Sequence, residues 1–336
     1  MRTGLKLKTL TAVVVISAVF AGACGGGTET VTPVSEELSL EVPSEAAATA
    51  VVPIASRSVE AEPTPPAILK DEPPMILVPG RSTLRIDQVI NGEMVPRSFV
   101  VHAPREIDPN RRYAVLMAFH GYGGGGGLFE YYLSRFVESG EFIGIYPEGT
   151  GPVPAWNVGN GVSTVDDLEF VGKIIEVLTE YDELELSEMY AVGISMGAGL
   201  VHILAGNTEY FSGVAMIATQ LQVDWEPDPI VAPVSVLQIS GMRDATIPYE
   251  GGESSVGTFF PAEESARIWA LHDMCNGTPT ISSTEYGNRK LVFSDCDAGT
   301  RVVHYGITDG GHDLPDDTEG GLYDLVWSFF ADESSN

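Results

Sequence analysis

Apolar residues along the chain gather into two kinds of segment that alternate. Strand-like apolar runs occur at LRIDQVI (84–90), RSFVVHA (97–103), YAVLMAFH (113–120), FIGIYP (142–147), EMYAVGI (188–194), VSVLQIS (234–240) and RVVHYGI (301–307). Helical spacing of apolar residues occupies 129–139, 166–181, 198–205, 262–274 and 323–331. Asn91-Gly92, between the first two runs, is a hairpin signal. Continuous apolar strands separated by helices predict an α/β fold, a mainly parallel sheet with helices on both faces. No internal repeat is visible, and residues 82–332 read as one catalytic-sized domain of roughly 250 residues.

The N-terminal quarter has a different pattern. Arg2, Lys6 and Lys8 precede the apolar run 10–23, too short to span a bilayer comfortably, which reads as a secretory signal over residues 1–23. The run ends in Ala21-Gly22-Ala23-Cys24, which resembles a bacterial lipobox with Ala21 where Leu is usual, so Cys24 is the expected lipidation site and a cut near Ala23 without lipid the alternative. Residues 24–81 are rich in Pro, Ala and Glu, and no aromatic residue lies between Phe20 and Phe99. A segment of that composition buries too little surface to offset its ordering entropy and is expected to be a disordered tether. The expected location is extracytoplasmic, with the membrane reached only through the lipid anchor.

Composition narrows the partners. Eighteen Lys and Arg stand against 47 Asp and Glu, a formal charge of −29. Binding to phosphate backbones draws on basic residues that this chain lacks, so no nucleic-acid partner is expected. The acidity suits solubility and disfavours polyanionic substrates. With Cys24 assigned to the lipobox, Cys275 and Cys296 form an even pair in an exported domain, where a disulfide persists. Such a bridge closes a loop of about twenty residues, worth on the order of 3 kcal/mol; two free thiols are the alternative. No CxxC or His-rich cluster suggests a metal.

The chemistry concentrates at Gly193-Ile194-Ser195-Met196-Gly197, a G-x-S-x-G motif directly after an apolar strand and before a helical run. A sharp strand-to-helix turn lifts the serine hydroxyl out of the sheet, and the helix N-terminus aims the Met196 N–H at a developing oxyanion. A serine hydroxyl needs a base and an orienting acid. Of six histidines, His102 and His304 fall in strands, His202 and His272 in helices, and His120 ends a strand before Gly121. His312 remains, in the Gly310-Gly311-His312-Asp313 loop after the last strand, and is the expected base. Asp244, just beyond the strand 234–240, lies on the same sheet edge and is the expected acid. The order Ser195, Asp244, His312 is that of α/β-hydrolases. The glycine-rich loop 121–127 should complete an oxyanion hole, with the Tyr122 N–H as the expected second donor. No cofactor or metal is expected.

RSFVVHAP, FHGYGGGG, IYPEG, AWN at 155–157, VDDLEFVGKII, VGISMGAG, SGMRDATIPYEGG, the two cysteines and GGHDLP follow one another through residues 97–330. In this the chain resembles bacterial esterases related to polyhydroxyalkanoate (poly(3-hydroxybutyrate), PHB) depolymerases and to the feruloyl and acetyl-xylan esterases of the first carbohydrate-esterase family. The resemblance implies an α/β-hydrolase fold, triad roles for Ser195, Asp244 and His312, and a structural role for Asp166-Asp167 at a helix start. The family often has an aromatic after the catalytic His-x pair, where this chain has Asp313-Leu314-Pro315, and no stretch resembles a polymer-binding module. Small or oligomeric esters are therefore the expected substrates: hydroxyalkanoate oligomers, feruloyl or acetyl esters. A peptidase of the same fold, or a non-catalytic surface binding protein on a hydrolase scaffold, are the alternatives. Tyr122, Phe129, Tyr131, Trp156 and Phe259 are candidate pocket aromatics; the oligomeric state is not readable.

Overall fold

A computed structural model describes residues 75–333. The leader, Cys24 and most of the tether lie outside the described residues. Twelve strands and five α-helices follow in chain order: β1 (Gly80–Ile90), β2 (Glu93–Ala103), β3 (Tyr113–Phe119), α1 (Gly127–Glu138), β4 (Phe142–Pro147), α2 (Asp167–Leu178), β5 (Leu184–Ile194), α3 (Met196–Asn207), β6 (Gly213–Ile217), β7 (Ser235–Gly241), β8 (Gly252–Ser254), β9 (Gly257–Phe259), α4 (Ala262–His272), β10 (Thr280–Ser283), β11 (Arg289–Phe293), β12 (Val302–Ile307) and α5 (Leu322–Glu333).

Ten of the strands form one sheet in the order β1-β2-β4-β3-β5-β6-β7-β12-β11-β10. Its centre, from β4 to β12, is parallel, and its two margins are antiparallel hairpins. β3, β4, β6, β7 and β12 are buried along their whole length, as strands covered on both faces must be. Phe170, Ile174, Leu200, Leu204 and Trp269 bring α2, α3 and α4 onto one face. Phe129, Leu133, Val326 and Phe330 bring α1 and α5 onto the other. The expected fold is thus the observed one. Asn91 and Gly92 both take positive φ, 52° and 84°, and join β1 to β2 as a two-residue turn.

Residue 82 does not mark the start of ordered structure. The Met75 N–H donates to Glu180 O, Leu77 is buried, and Gly80 and Arg81 pair with Ala103 and His102. Proline-rich composition runs on to Pro79, whereas backbone pairing with β2 already begins at Gly80. The short strand β6 and the β10–β11 hairpin have no counterpart among the apolar runs of the sequence. Cys275 and Cys296 are disulfide-bonded, tying the end of α4 to the connection before β12.

Candidate active site

Ser195 sits between the last residue of β5 and the first of α3, at φ 53° and ψ −122°. A non-glycine residue in this region carries backbone strain of about 1–3 kcal/mol, held only where the surroundings fix it. Three bonds do so here. The Ser195 N–H donates to Ile217 O (2.9 Å), and Ser195 O accepts from Gly199 N (3.1 Å) and from Thr219 Oγ1 (2.8 Å). The glycines of the motif are set by close approach: a Cβ on Gly197 would collide with Phe119 O, and one on Gly193 with the Gly197 carbonyl.

Ser195 Oγ lies 2.9 Å from His312 Nε2, and His312 Nδ1 lies 2.7 Å from Asp244 Oδ2. A carboxylate only accepts, so Nδ1 carries the ring proton and Nε2 is free to accept from the serine hydroxyl. The other oxygen of Asp244, Oδ1, accepts from Thr246 N (2.7 Å) and Ile247 N (2.8 Å), which fixes the carboxylate on a turn after β7. Asp244 is buried, whereas His312 keeps part of its ring open. The loops carrying the two residues are joined by Met242 N to Ile307 O (2.9 Å) and Arg243 N to Gly310 O (2.8 Å). The three side chains singled out in the sequence therefore meet at the carboxyl edge of the parallel sheet.

Across Ser195 from His312 lies the glycine-rich loop. A Cβ on Gly121 would stand 3.4 Å from Ser195 Cβ, so this backbone runs past the nucleophile. The Gly123 and Gly124 amides are committed, to Pro154 O (2.8 Å) and Gly121 O (3.1 Å). Neither the Tyr122 nor the Met196 N–H donates to an acceptor among the described residues. Met196 directly follows Ser195 and Tyr122 directly follows Gly121, and amides without an acceptor are the kind of donor that a tetrahedral oxyanion requires.

The support beneath this loop was not evident from the sequence. Buried His120 donates from Nδ1 to Gly121 O (2.7 Å) and accepts at Nε2 from Gly149 N (2.9 Å), while its carbonyl accepts from Trp156 Nε1 (2.7 Å). Burial holds its imidazole below the usual histidine pKa, which keeps Nε2 an acceptor. Glu148 Oε1 accepts from Gly126 N at 3.1 Å. Deeper still, Arg97 donates to Asp167 Oδ1 (2.7 Å), Gln88 Oε1 (3.1 Å) and Glu148 O (3.1 Å), and its guanidinium lies 3.7 Å from the Phe170 ring centroid. Asp167 Oδ2 accepts from Asn157 N at 2.6 Å, and Asp166 caps α2 through Glu169 N. The only cue in the sequence is that His120, Glu148 and Asp167 each stand at the edge of an element, whereas Arg97 lies within β2.

Of the candidate pocket aromatics, Phe129, Trp156 and Phe259 are buried in the interior, and only Tyr122 and Tyr131 are exposed. Phe129 packs edge-on against Tyr323, and Trp156 against Phe119.

No family model matches the chain. It is 28% identical over 203 residues to feruloyl esterase B of Piromyces equi, covering 57% of this chain and 37% of that protein. It is 26% identical over 255 residues to feruloyl esterase C of Emericella nidulans, covering 72% of this chain and 84% of that one. Among solved structures, the acetyl xylan esterase from Aspergillus awamori superposes with a TM-score of 0.53 at 15% identity, over 74% of this chain and 99% of that chain. The fold is the α/β-hydrolase fold. Within that fold the chain is similar in sequence to feruloyl esterases, in line with the resemblance of its motifs, and it spans about a third of the length of the first of them.

Proposed function

We propose that the protein is a serine carboxylic ester hydrolase that works through Ser195, His312 and Asp244. The observation that carries this reading is the unbroken hydrogen-bonded chain Ser195–His312–Asp244, at 2.9 and 2.7 Å, on a strained strand-to-helix turn with two unclaimed amides beside it. Ser195 Oγ attacks the ester carbonyl as His312 Nε2 takes its proton. The carbonyl oxygen, now negative, is held by the Tyr122 and Met196 N–H groups. The tetrahedral adduct collapses as Nε2–H protonates the departing alcohol, leaving an acyl-serine. Water, deprotonated by the same nitrogen, then releases the acid. Asp244 holds the ring in its Nδ1–H form and stabilises the imidazolium.

Feruloyl, acetyl and short hydroxyalkanoate esters are the proposed substrates, supported by the feruloyl esterases to which the chain is related and by the family resemblance of its motifs. Replacing Ser195 by Ala should abolish p-nitrophenyl acetate turnover and labelling by a fluorophosphonate probe while the circular dichroism stays native. Activity at the wild-type level in that variant rejects the reading. A hydrolysis panel of methyl ferulate, acetylated xylan and hydroxybutyrate oligomers then ranks the substrates.

We further infer that the enzyme is exported and anchored through Cys24, outside the described residues. The leader and lipobox-like sequence support export, as does the Cys275–Cys296 disulfide, since such bonds persist in oxidising compartments. Among the described residues no helix is long and apolar enough to cross a membrane. Incorporation of labelled palmitate, lost on Cys24→Ser, tests the anchor.

A further inference from the structure

The two proposed oxyanion donors are held alike, each from the far side of its own peptide group. A trans peptide is planar, with C=O and N–H pointing in opposite directions, so whatever fixes the carbonyl also fixes the line of the next residue's N–H. The Tyr122 N–H shares its peptide with Gly121 O, which accepts from His120 Nδ1 (2.7 Å) and Gly124 N (3.1 Å). The Met196 N–H shares its peptide with Ser195 O, which accepts from Thr219 Oγ1 (2.8 Å) and Gly199 N (3.1 Å). Each carbonyl thus takes one bond from a nearby amide and one from a buried side chain.

The segment carrying Thr219 is itself pinned on three sides. It leaves β6 through Ala218, a non-glycine residue at φ 56° whose N–H donates to Ile239 O of β7 (2.8 Å). His202 Nδ1 accepts from Trp269 Nε1 (3.0 Å), which leaves the ring proton on Nε2, and Nε2 donates to Thr219 O at 3.3 Å. The next side chain, Gln220, donates from Nε2 to Pro248 O (2.9 Å), just past the Asp244 turn. Thr219 Oγ1 also lies 2.7 Å from Ala218 O, so its single proton is shared between that carbonyl and Ser195 O.

We propose that Thr219 is a positioning residue of the oxyanion hole: its hydroxyl, acting on Ser195 O, aims the Met196 N–H and strengthens it as a donor, as His120 does for the Tyr122 N–H through Gly121 O. The strengthening arises because linked hydrogen bonds polarise one another. The proposal rests on the serine esterase reading.

Thr219→Val keeps the shape of the side chain and removes its hydroxyl, whereas Thr219→Ser keeps the hydroxyl and removes a methyl. With p-nitrophenyl acetate, Thr219→Val should lower kcat about tenfold to hundredfold, less than loss of the donor itself, with KM changed by less than about twofold. Ki for a trifluoromethyl ketone should rise by the same factor. In that adduct Ser195 Oγ bonds to the ketone carbon, its proton passes to His312 Nε2, and the former carbonyl oxygen becomes the oxyanion. Thr219→Ser should recover most of both losses. A role in packing alone predicts a lower urea midpoint with kcat and Ki unmoved in the folded fraction. If Thr219→Val does not fold by circular dichroism, Thr219→Ala is read in the same way. Wild-type kcat and Ki without the hydroxyl, a loss confined to KM, or an equal loss in Thr219→Ser overturns the proposal and leaves the esterase reading intact. Wild-type protein that turns over no ester and takes no fluorophosphonate label overturns the esterase reading itself.

Discussion

His120 Nε2 accepts the Gly149 N–H at 2.9 Å, joining the exit of β3 to the exit of β4 directly beneath the proposed oxyanion loop. The bond leaves no room for a side chain: a Cβ on Gly149 would stand 2.8 Å from Ala155 N and 3.0 Å from His120 Cε1. With Nδ1 bound to Gly121 O, the ring fixes the backbone one residue before Tyr122. His120 is thus a positioning residue that never meets the substrate. His120→Ala should lower kcat about tenfold to hundredfold, less than deleting an oxyanion donor outright, with KM changed little. A loss confined to KM would show that the loop serves binding and not the oxyanion.

Asp244 gives a second prediction through its two oxygens. In Asp244→Asn the amide oxygen would keep the Thr246 and Ile247 N–H bonds, which turns the NH2 group toward His312 Nδ1. Nδ1 must then accept, and the ring proton moves to Nε2, where it cannot receive the serine proton. Turnover should fall by about three to four orders of magnitude, with thermal stability near wild type. A smaller loss, under about tenfold on that scale, would mean that the tautomer is not set by Asp244.

Arg97 and Asp167 lie 70 residues apart and are almost wholly buried. Breaking such a pair leaves a lone buried charge, so Asp167→Ala should cost about 3–5 kcal/mol of stability, read as a lower urea midpoint. Because Asp167 also holds Asn157 N, activity should fall in the folded fraction too. The double variant Arg97→Met/Asp167→Leu should recover most of the stability. If the double variant is as unstable as the single, the charge is not the source of the loss.

What the chain discloses of itself divides along the same line. The parallel strands and the elbow were legible because each is a local pattern: an apolar run such as FIGIYP, or small residues packed around Ser195. His312 and Asp244 were reachable by position, since each follows a strand whose end must face Ser195. The strand β6, GVAMI, is only five residues long and merges with the preceding Tyr210-Phe211. All four residues of β10 are exposed, so its pattern carries no apolar signal. Asp167 reads locally as a helix-start charge; its turn inward to Arg97 depends on a partner brought by β2, which no local pattern reports. The early start of β1 escaped for a related reason, because pairing of Gly80 with Ala103 is a backbone matter and leaves no trace in composition.

Acid sensitivity follows from two further histidines. His202, bonded to Trp269 Nε1 and Thr219 O, and His304, bonded to Gln238 Nε2 and Tyr249 OH, are fully enclosed, and burial pushes each down to about 4. In the unfolded chain both titrate at about 6.5. Above that pH neither state binds the protons, and their neutral forms cost nothing. As pH falls from about 6.5 toward 4, the unfolded chain takes up protons that the folded one refuses. Each histidine then removes up to about 1.4 kcal/mol of stability per pH unit. Below about 4 the folded state can take up the protons as well, and the slope levels off. Urea midpoints measured between pH 7.5 and 4.5 should therefore fall steeply below pH 6.5. In His304→Gln, which removes one titrating group, that fall should be visibly shallower even if the variant is less stable at pH 7.5. An identical slope in wild type and His304→Gln would assign the acid limb to other groups.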